Sequence, residues 1–292
     1  MLAPMLRAMS NPAFEISYGK AAVPVYRHGA TPLVVAPIAE SPFSGRANAL
    51  FAAEVDVEVF GDVFWPAYTH GDNARVVATD SIKNIVLRES ASWQGATLES
   101  LLDHLGRYLL ASYEQMPRLR LTGRELRFDP RSAVLHERSH DDASQAMLEL
   151  DRTGITAHES RRVGIELLKL TGSAFTSFVR DSATTLPERA DRPLFIALDV
   201  HWRYRNVADA LGGPRHVAGE QVRDLCATVF DGFVSESIQH LVHAFAERAL
   251  ERLPQLAEIG FAARNLTREP YADGVYSDPF NAFGTITLTM RR

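Results

Sequence analysis

The chain has 292 residues, a net charge of −5 at pH 7 and one cysteine, Cys226. The acidic balance argues against nucleic acid as the main partner, since phosphate binding needs a basic surface. The lone cysteine excludes an intramolecular disulfide and a cysteine-built zinc cluster, and no apolar run approaches the roughly 18 residues of a membrane span. These features predict a cytoplasmic protein with a small-molecule partner, no nucleic acid and no membrane.

Residues 1 to 12, "MLAPMLRAMSNP", lack an apolar core and a cleavage site and read as a flexible leader rather than a signal peptide. "FEISYGKAAVPVYR" and "EVDVEVFGDVF" are strand-like. In "HGDNARVVATDSIKN" alternating apolar residues give way to Thr79, Asp80 and Lys83 at a strand-to-helix junction. "TLESLLDHLGRYLLASYEQMP" has the apolar spacing of a helix with one buried stripe, Thr97 as N-cap and Pro117 as its stop. "RLRLTGRELRF" reads as a half-solvated strand bent at Gly123. The order then recurs. "GITAHESRRVGIELLKL" and "PLFIALDVHWRY" are strands, "EQVRDLCATVFDGF" and "SIQHLVHAFAERALERLP" are helices, and "LAEIGFAARNL" is a strand. Two copies of one plan predict an α+β fold, residues 13–142 and 143–292, with antiparallel sheets covered by helices on one face. Open sheet edges favour an oligomer.

"HERSH", His136 to His140, has the histidine spacing of a zinc-protease helix, but its surroundings read as a solvated loop. His240 and His243 share a helix face beside Leu241, Val242 and Phe245, which predicts half-buried packing. His28, His70 and His201 flank strands without an identifiable partner. Walker, dinucleotide and GxSxG motifs are absent. The segment "SAFTSFVRDSATTLPERADR" reads equally as a charged loop with internal ion pairs or as a binding loop. Only Lys20, Lys83 and Lys169 among 31 basic residues are lysines, so a lysine here marks a position where an amine does what a guanidinium cannot.

Five strings, "YGK" at 18–20, "VVATDSIKN" at 76–84, "LKLTGSAFTSFVRDSATTLPERADR" at 168–192, "SIQ" at 237–239 and "SDPF" at 277–280, resemble in order and spacing the cofactor-free urate oxidases of the T-fold superfamily. The resemblance spans about residues 14 to 290. It implies two tandem T-fold repeats per chain and a homotetramer enclosing a β-barrel tunnel, with active sites between subunits. It also implies oxidation of urate, or a related purine, by O₂ to a 5-hydroxyisourate-type product and hydrogen peroxide, with no metal and no cofactor. Carried over by position, Lys20 matches the catalytic lysine, working with Thr79 from a neighbouring subunit, and Asp80 the acid beside that threonine. Phe175 matches the ring that stacks on the purine, Arg192 the arginine that grips its anionic edge, and Gln239 with the backbone of Ile238 the pair that reads its amide edge.

The chemistry suits those residue types. A urate anion gives electrons to O₂ once it is held flat, charge-stabilised and served with proton transfer. A guanidinium, a side-chain amide, a ring face and a lysine–threonine relay supply those needs. The family's Pro-Asn-Lys-His string is altered. The ungapped match, "AARN", puts Ala263 at the asparagine and Asn265 at the histidine; a slip of two keeps Asn265 as the oxygen-site asparagine and puts Thr267 at the histidine. With the histidine missing, a uricase-like oxidase of another heterocycle and a purine-binding protein without turnover stand as alternatives.

Overall fold

The computed structural model describes residues 14–266, 268–277 and 281–292. The expected leader, Thr267 and most of "SDPF" lie outside the described residues. Eight strands form one antiparallel sheet in chain order: β1 (Ser17–His28), β2 (Leu50–Phe60), β3 (Arg118–Glu125), β4 (Ala143–Asp151), β5 (Gly154–Lys169), β6 (Leu194–Tyr204), β7 (Leu256–Asn265) and β8 (Gly284–Arg291). A short helix α1 (Trp65–His70) precedes the pair α2 (Thr79–Ser92) and α3 (Leu98–Ser112) between β2 and β3. The pair α4 (Gly219–Gly232) and α5 (Ile238–Arg252) lies between β6 and β7. Among the described residues, no helix is long and apolar enough to cross a membrane.

Period-two alternation builds the layers. Val55, Val57, Val59, Leu119, Leu121, Leu148 and Leu150 point to one face and pack with Ile82, Val86, Leu101, Leu105 and Leu109 of α2 and α3. Ile196, Leu198, Val200, Ile259 and Phe261 do the same beneath α4 and α5, giving each half its own core. The opposite face of the sheet carries charge, for example Arg120 paired with Glu149 at 2.6 Å and Glu58 at 3.4 Å.

The two halves match in detail. In β1 the pairing slips between Lys20 and Val23, and the Ala22 amide, at φ 54°, donates to Asp56 Oδ1 at 2.6 Å. In β5 it slips between Arg162 and Ile165, and the Gly164 amide, at φ 77°, donates to Asp199 Oδ1 at 2.8 Å. One bulge, closed by one carboxylate, therefore occurs twice. Both α2 and α4 start after an alanine N-cap, Ala78 and Ala218. Both α3 and α5 start after a hydroxyl cap: Thr97 accepts from the Ser100 amide and Ser237 from the His240 amide, each at 3.1 Å.

Several local expectations need correction. Gly123 is not a bend, since β3 keeps its register through it. A Cβ there would lie 2.7 Å from Leu98 Cδ1, so the glycine admits the start of α3 against the sheet. Residues 74–78 before Thr79 are not a strand; Val76 donates to the Asn73 carbonyl in a turn. His136–Arg138 is a strand paired with Phe128–Pro130, so His136 and His140 do not share a helix face. His240 and His243 are exposed, His240 edge-on to Phe233 and His243 3.4 Å from Glu247.

Candidate active site

The residues singled out in the sequence fall into two groups on different halves. The first lies at the β1 edge. Lys20, half-buried, is the last regularly paired residue before the β1 bulge. Tyr18, two residues earlier, accepts the Val77 amide on its hydroxyl at 3.1 Å, which ties the segment before α2 to β1. Thr79 and Asp80 are the first two residues of α2, where backbone N–H groups lack helical partners. Asp80 accepts from Lys83 at 2.5 Å and Asn84 at 3.0 Å. The Lys83 hydrogen bond and charge hold the Asp80 carboxyl below its ordinary range, and Lys20 adds to this. Lys20 therefore acts on Asp80 of its own chain. Within one chain, Lys20, Thr79 and Asp80 thus stand at the same edge of the sheet.

The second group gathers where β6 and α5 begin. Phe175 and Arg189 exchange backbone hydrogen bonds at 2.8 and 3.0 Å, and the Arg192 amide donates to Ser173 at 2.9 Å, closing residues 172–192 on themselves. The same segment is tied to the approach to α5, because Ala174 donates to Ser235 at 2.8 Å. Asp191 holds its base, accepting from the Thr171 hydroxyl, the Gly172 amide at 2.7 Å and the Ser173 amide at 3.3 Å. "SAFTSFVRDSATTLPERADR" is thus an internally hydrogen-bonded loop, and the ion pair of Arg189 with Glu269 runs outside it rather than within it.

Phe175 stacks on Phe178 with centroids 4.8 Å apart, and the Arg192 guanidinium carbon lies 5.6 Å from the Phe175 centroid. Burial pushes the Arg192 guanidinium down in pKa; Glu269 opposes and the like charge of Arg189 adds to it. Arg192 Nε is buried without a hydrogen-bond partner, and so is Asn265 Oδ1 at the end of β7, opposite Ile196. An unpaired donor and an unpaired acceptor, both desolvated, thus flank the start of β6, a costly arrangement unless a ligand satisfies it. Ile238 and Gln239 open α5, Ile238 buried and Gln239 exposed. Ala263 faces the helices at 2 % exposure and belongs to the core, whereas Asn265 ends β7 with its Oδ1 buried and unpaired.

Sequence reasoning missed three supports. Asp191 was visible only as part of a charge run, the Ser173–Ser235 contact joins residues far apart in the chain, and Glu269 is 3.3 Å from Arg189 through a hairpin without a motif. Among the described residues, no group of three or more His, Cys, Asp or Glu is arranged to hold a metal.

Comparison with known proteins places this geometry. The Uricase family model matches residues 160–278. A uricase of Haloferax volcanii is 43 % identical over 86 % of this chain and 88 % of its own length. A uric acid degradation bifunctional protein of Bacillus subtilis is 37 % identical over 95 % of this chain, which spans 61 % of that longer protein. The crystal structure of urate oxidase from Bacillus sp. TB-90 superposes with a TM-score of 0.92 at 35 % identity, covering 95 % of this chain and all of the other.

Proposed function

The chain belongs to the uricase family, and from that premise we propose the residues and the assembly by which it works. It is an oxidoreductase that oxidises urate and needs no cofactor. In the proposed reaction urate loses two electrons and two protons to O₂, and water adds to the purine, giving 5-hydroxyisourate and hydrogen peroxide. Arg192 takes the anionic edge of urate in a charge-assisted contact. Gln239 and the Ile238 amide read an amide edge, Phe175 covers the ring, and Asn265 faces the oxygen side. Lys20 and Thr79 move the protons, with Asp80 beside them. The unpaired buried Arg192 Nε and Asn265 Oδ1, which a purine edge would satisfy, carry this reading.

One chain cannot assemble all of these groups. Lys20 is on β1 and Arg192 leads into β6, five strand spacings or about 24 Å away across the sheet. We therefore propose a site formed between subunits of a homotetramer, in which Lys20, Thr79 and Asp80 of one chain face Phe175, Arg192, Ile238, Gln239 and Asn265 of another. A repeat division in the Arg152–Thr153 turn, in place of 142/143, goes with it, because β4 completes the strand-strand-helix-helix-strand-strand order of the first half. A cytoplasmic location accords with the single buried cysteine.

Metal-stripped protein given urate in air should consume it and release peroxide. Arg192→Ala should raise KM about 10- to 100-fold, as loss of a charge-assisted contact does. Lys20→Met should lower kcat about 100-fold or more. A Lys20→Met variant as fast as the parent would remove the relay, and binding without urate loss would turn the protein into a non-catalytic purine binder.

A further inference from the structure

The match between the halves has a counterpart of the proposed site inside each chain. Lys20 corresponds to Arg162, since each is the last paired residue before the same carboxylate-closed bulge. Thr79 and Asp80 correspond to Gly219 and Glu220, the first two residues of α4. Ile238 and Gln239 correspond to Leu98 and Glu99, which open α3. Asn265 pairs with Ile196 as Glu125 pairs with Ala53, so Asn265 corresponds to Glu125.

These counterparts meet at the joint between the halves. Arg46, from the segment leading into β2, is 2.6 Å from Glu125 and 3.3 Å from Glu220. Arg162, with no exposed surface, is 3.2 Å from Glu125 and also holds Asp142 and Ser144. Burial pushes the Glu125 carboxyl up, but Arg46 and Arg162 outweigh it and hold it at about 2. Glycine stands in the place of Thr79 here, and a Cβ on Gly219, 2.8 Å from Arg162 Cδ and Ser144 Oγ, would have to displace them. A cavity of about 190 Å³, lined by Arg46, Leu98, Glu125, Leu126 and Phe128, remains beside the ion pairs. Volume alone therefore does not exclude a heterocycle; charge does. Carboxylates stand where the proposed site has the neutral amides of Gln239 and Asn265, and both arginines are ion-paired to carboxylates, although Arg46 Nε and Arg162 Nη2 keep no hydrogen-bond partner.

We infer that the joint is a second copy of the active site, closed to anionic heterocycles by Glu99, Glu125 and Glu220 and converted into an ionic clamp between the halves. A duplicated fold that offers two sites per chain thus keeps one. This rests on the site reading above.

The test is calorimetric titration with urate under nitrogen, together with thermal melting and steady-state kinetics. The parent should bind one urate per chain, and Arg192→Ala should lose that event with little change in melting. Glu125→Gln should melt at least about 5 °C lower, as loss of buried ionic contacts implies, with KM within twofold of the parent. Should Glu125→Gln not fold, Ser144→Ala removes one partner of Arg162 and should show the smaller fall with the same unchanged KM. Two urate molecules per chain in the parent would overturn the inference. So would a Glu125→Gln variant that melts like the parent, or one whose KM rises as that of Arg192→Ala does. Normal urate binding by Arg192→Ala would instead overturn the site reading on which the inference stands, whatever Glu125→Gln does to melting.

Discussion

Lys169 donates to the carbonyls of Phe230, Asp231 and Phe233 at 3.0, 3.1 and 3.2 Å, gathering the carbonyl groups at the end of α4 that lack helical partners. A compact ammonium with three donors fits three converging carbonyls, and a planar guanidinium does not. The scarcity of lysine was therefore informative at this position. Lys169→Arg should cost about 1–2 kcal/mol in urea unfolding, the scale of one or two lost hydrogen bonds; an unchanged midpoint would show that the carbonyls find other donors. Asp191 is a different kind of support, since it braces the loop while its neighbour Arg192 presents its side chain. Asp191→Ala should raise the urate KM by several-fold with a smaller change in kcat. Combined with Arg192→Ala it should add little, because the two losses share one cause. Additive effects would mean that Asp191 acts independently of Arg192.

At the scale of elements, patterning was legible where one face of a segment is buried. Leu98, Leu101, Leu102, Leu105 and Leu109 spell out α3, and Thr97 caps it as read. Gly123 was misread because a glycine in a strand signals either a bend or a close approach, and only the packed partner, Leu98, tells which. Gly123→Val should therefore destabilise by about 1–3 kcal/mol through overpacking. Relief by Leu98→Ala in a double-mutant cycle would confirm the contact, and simple additivity would sink it. The site was legible only through family strings such as "ATDSIKN". Phe175 and Arg192, Gln239, and Asn265 come from three separate stretches that loop and strand pairing bring together. No local period encodes that convergence.

Across the whole molecule, β1 and β8 end the sheet with unpaired edges, and the proposed site is divided between chains. The internal joint answers to pH. Glu125 is held below its ordinary value of 4.5, so its contribution to stability is fully present above that value and is lost as pH falls from 4.5 toward 2. Melting curves should show that acid-side loss in the parent and less of it in Glu125→Gln. The proposed joint between chains has the uncharged Gln239 and Asn265 where the internal joint has Glu99 and Glu125, which leaves room there for an anionic substrate. Urate held under nitrogen at about 100 times its Kd would add about 2.7 kcal/mol to whichever state binds it. If that state is the assembled one, sedimentation against protein concentration should show dissociation moved to lower concentration in the parent and unmoved in Arg192→Ala. Dissociation indifferent to urate in the parent would mean that one chain completes the site alone, against the 24 Å that separates its two groups of residues.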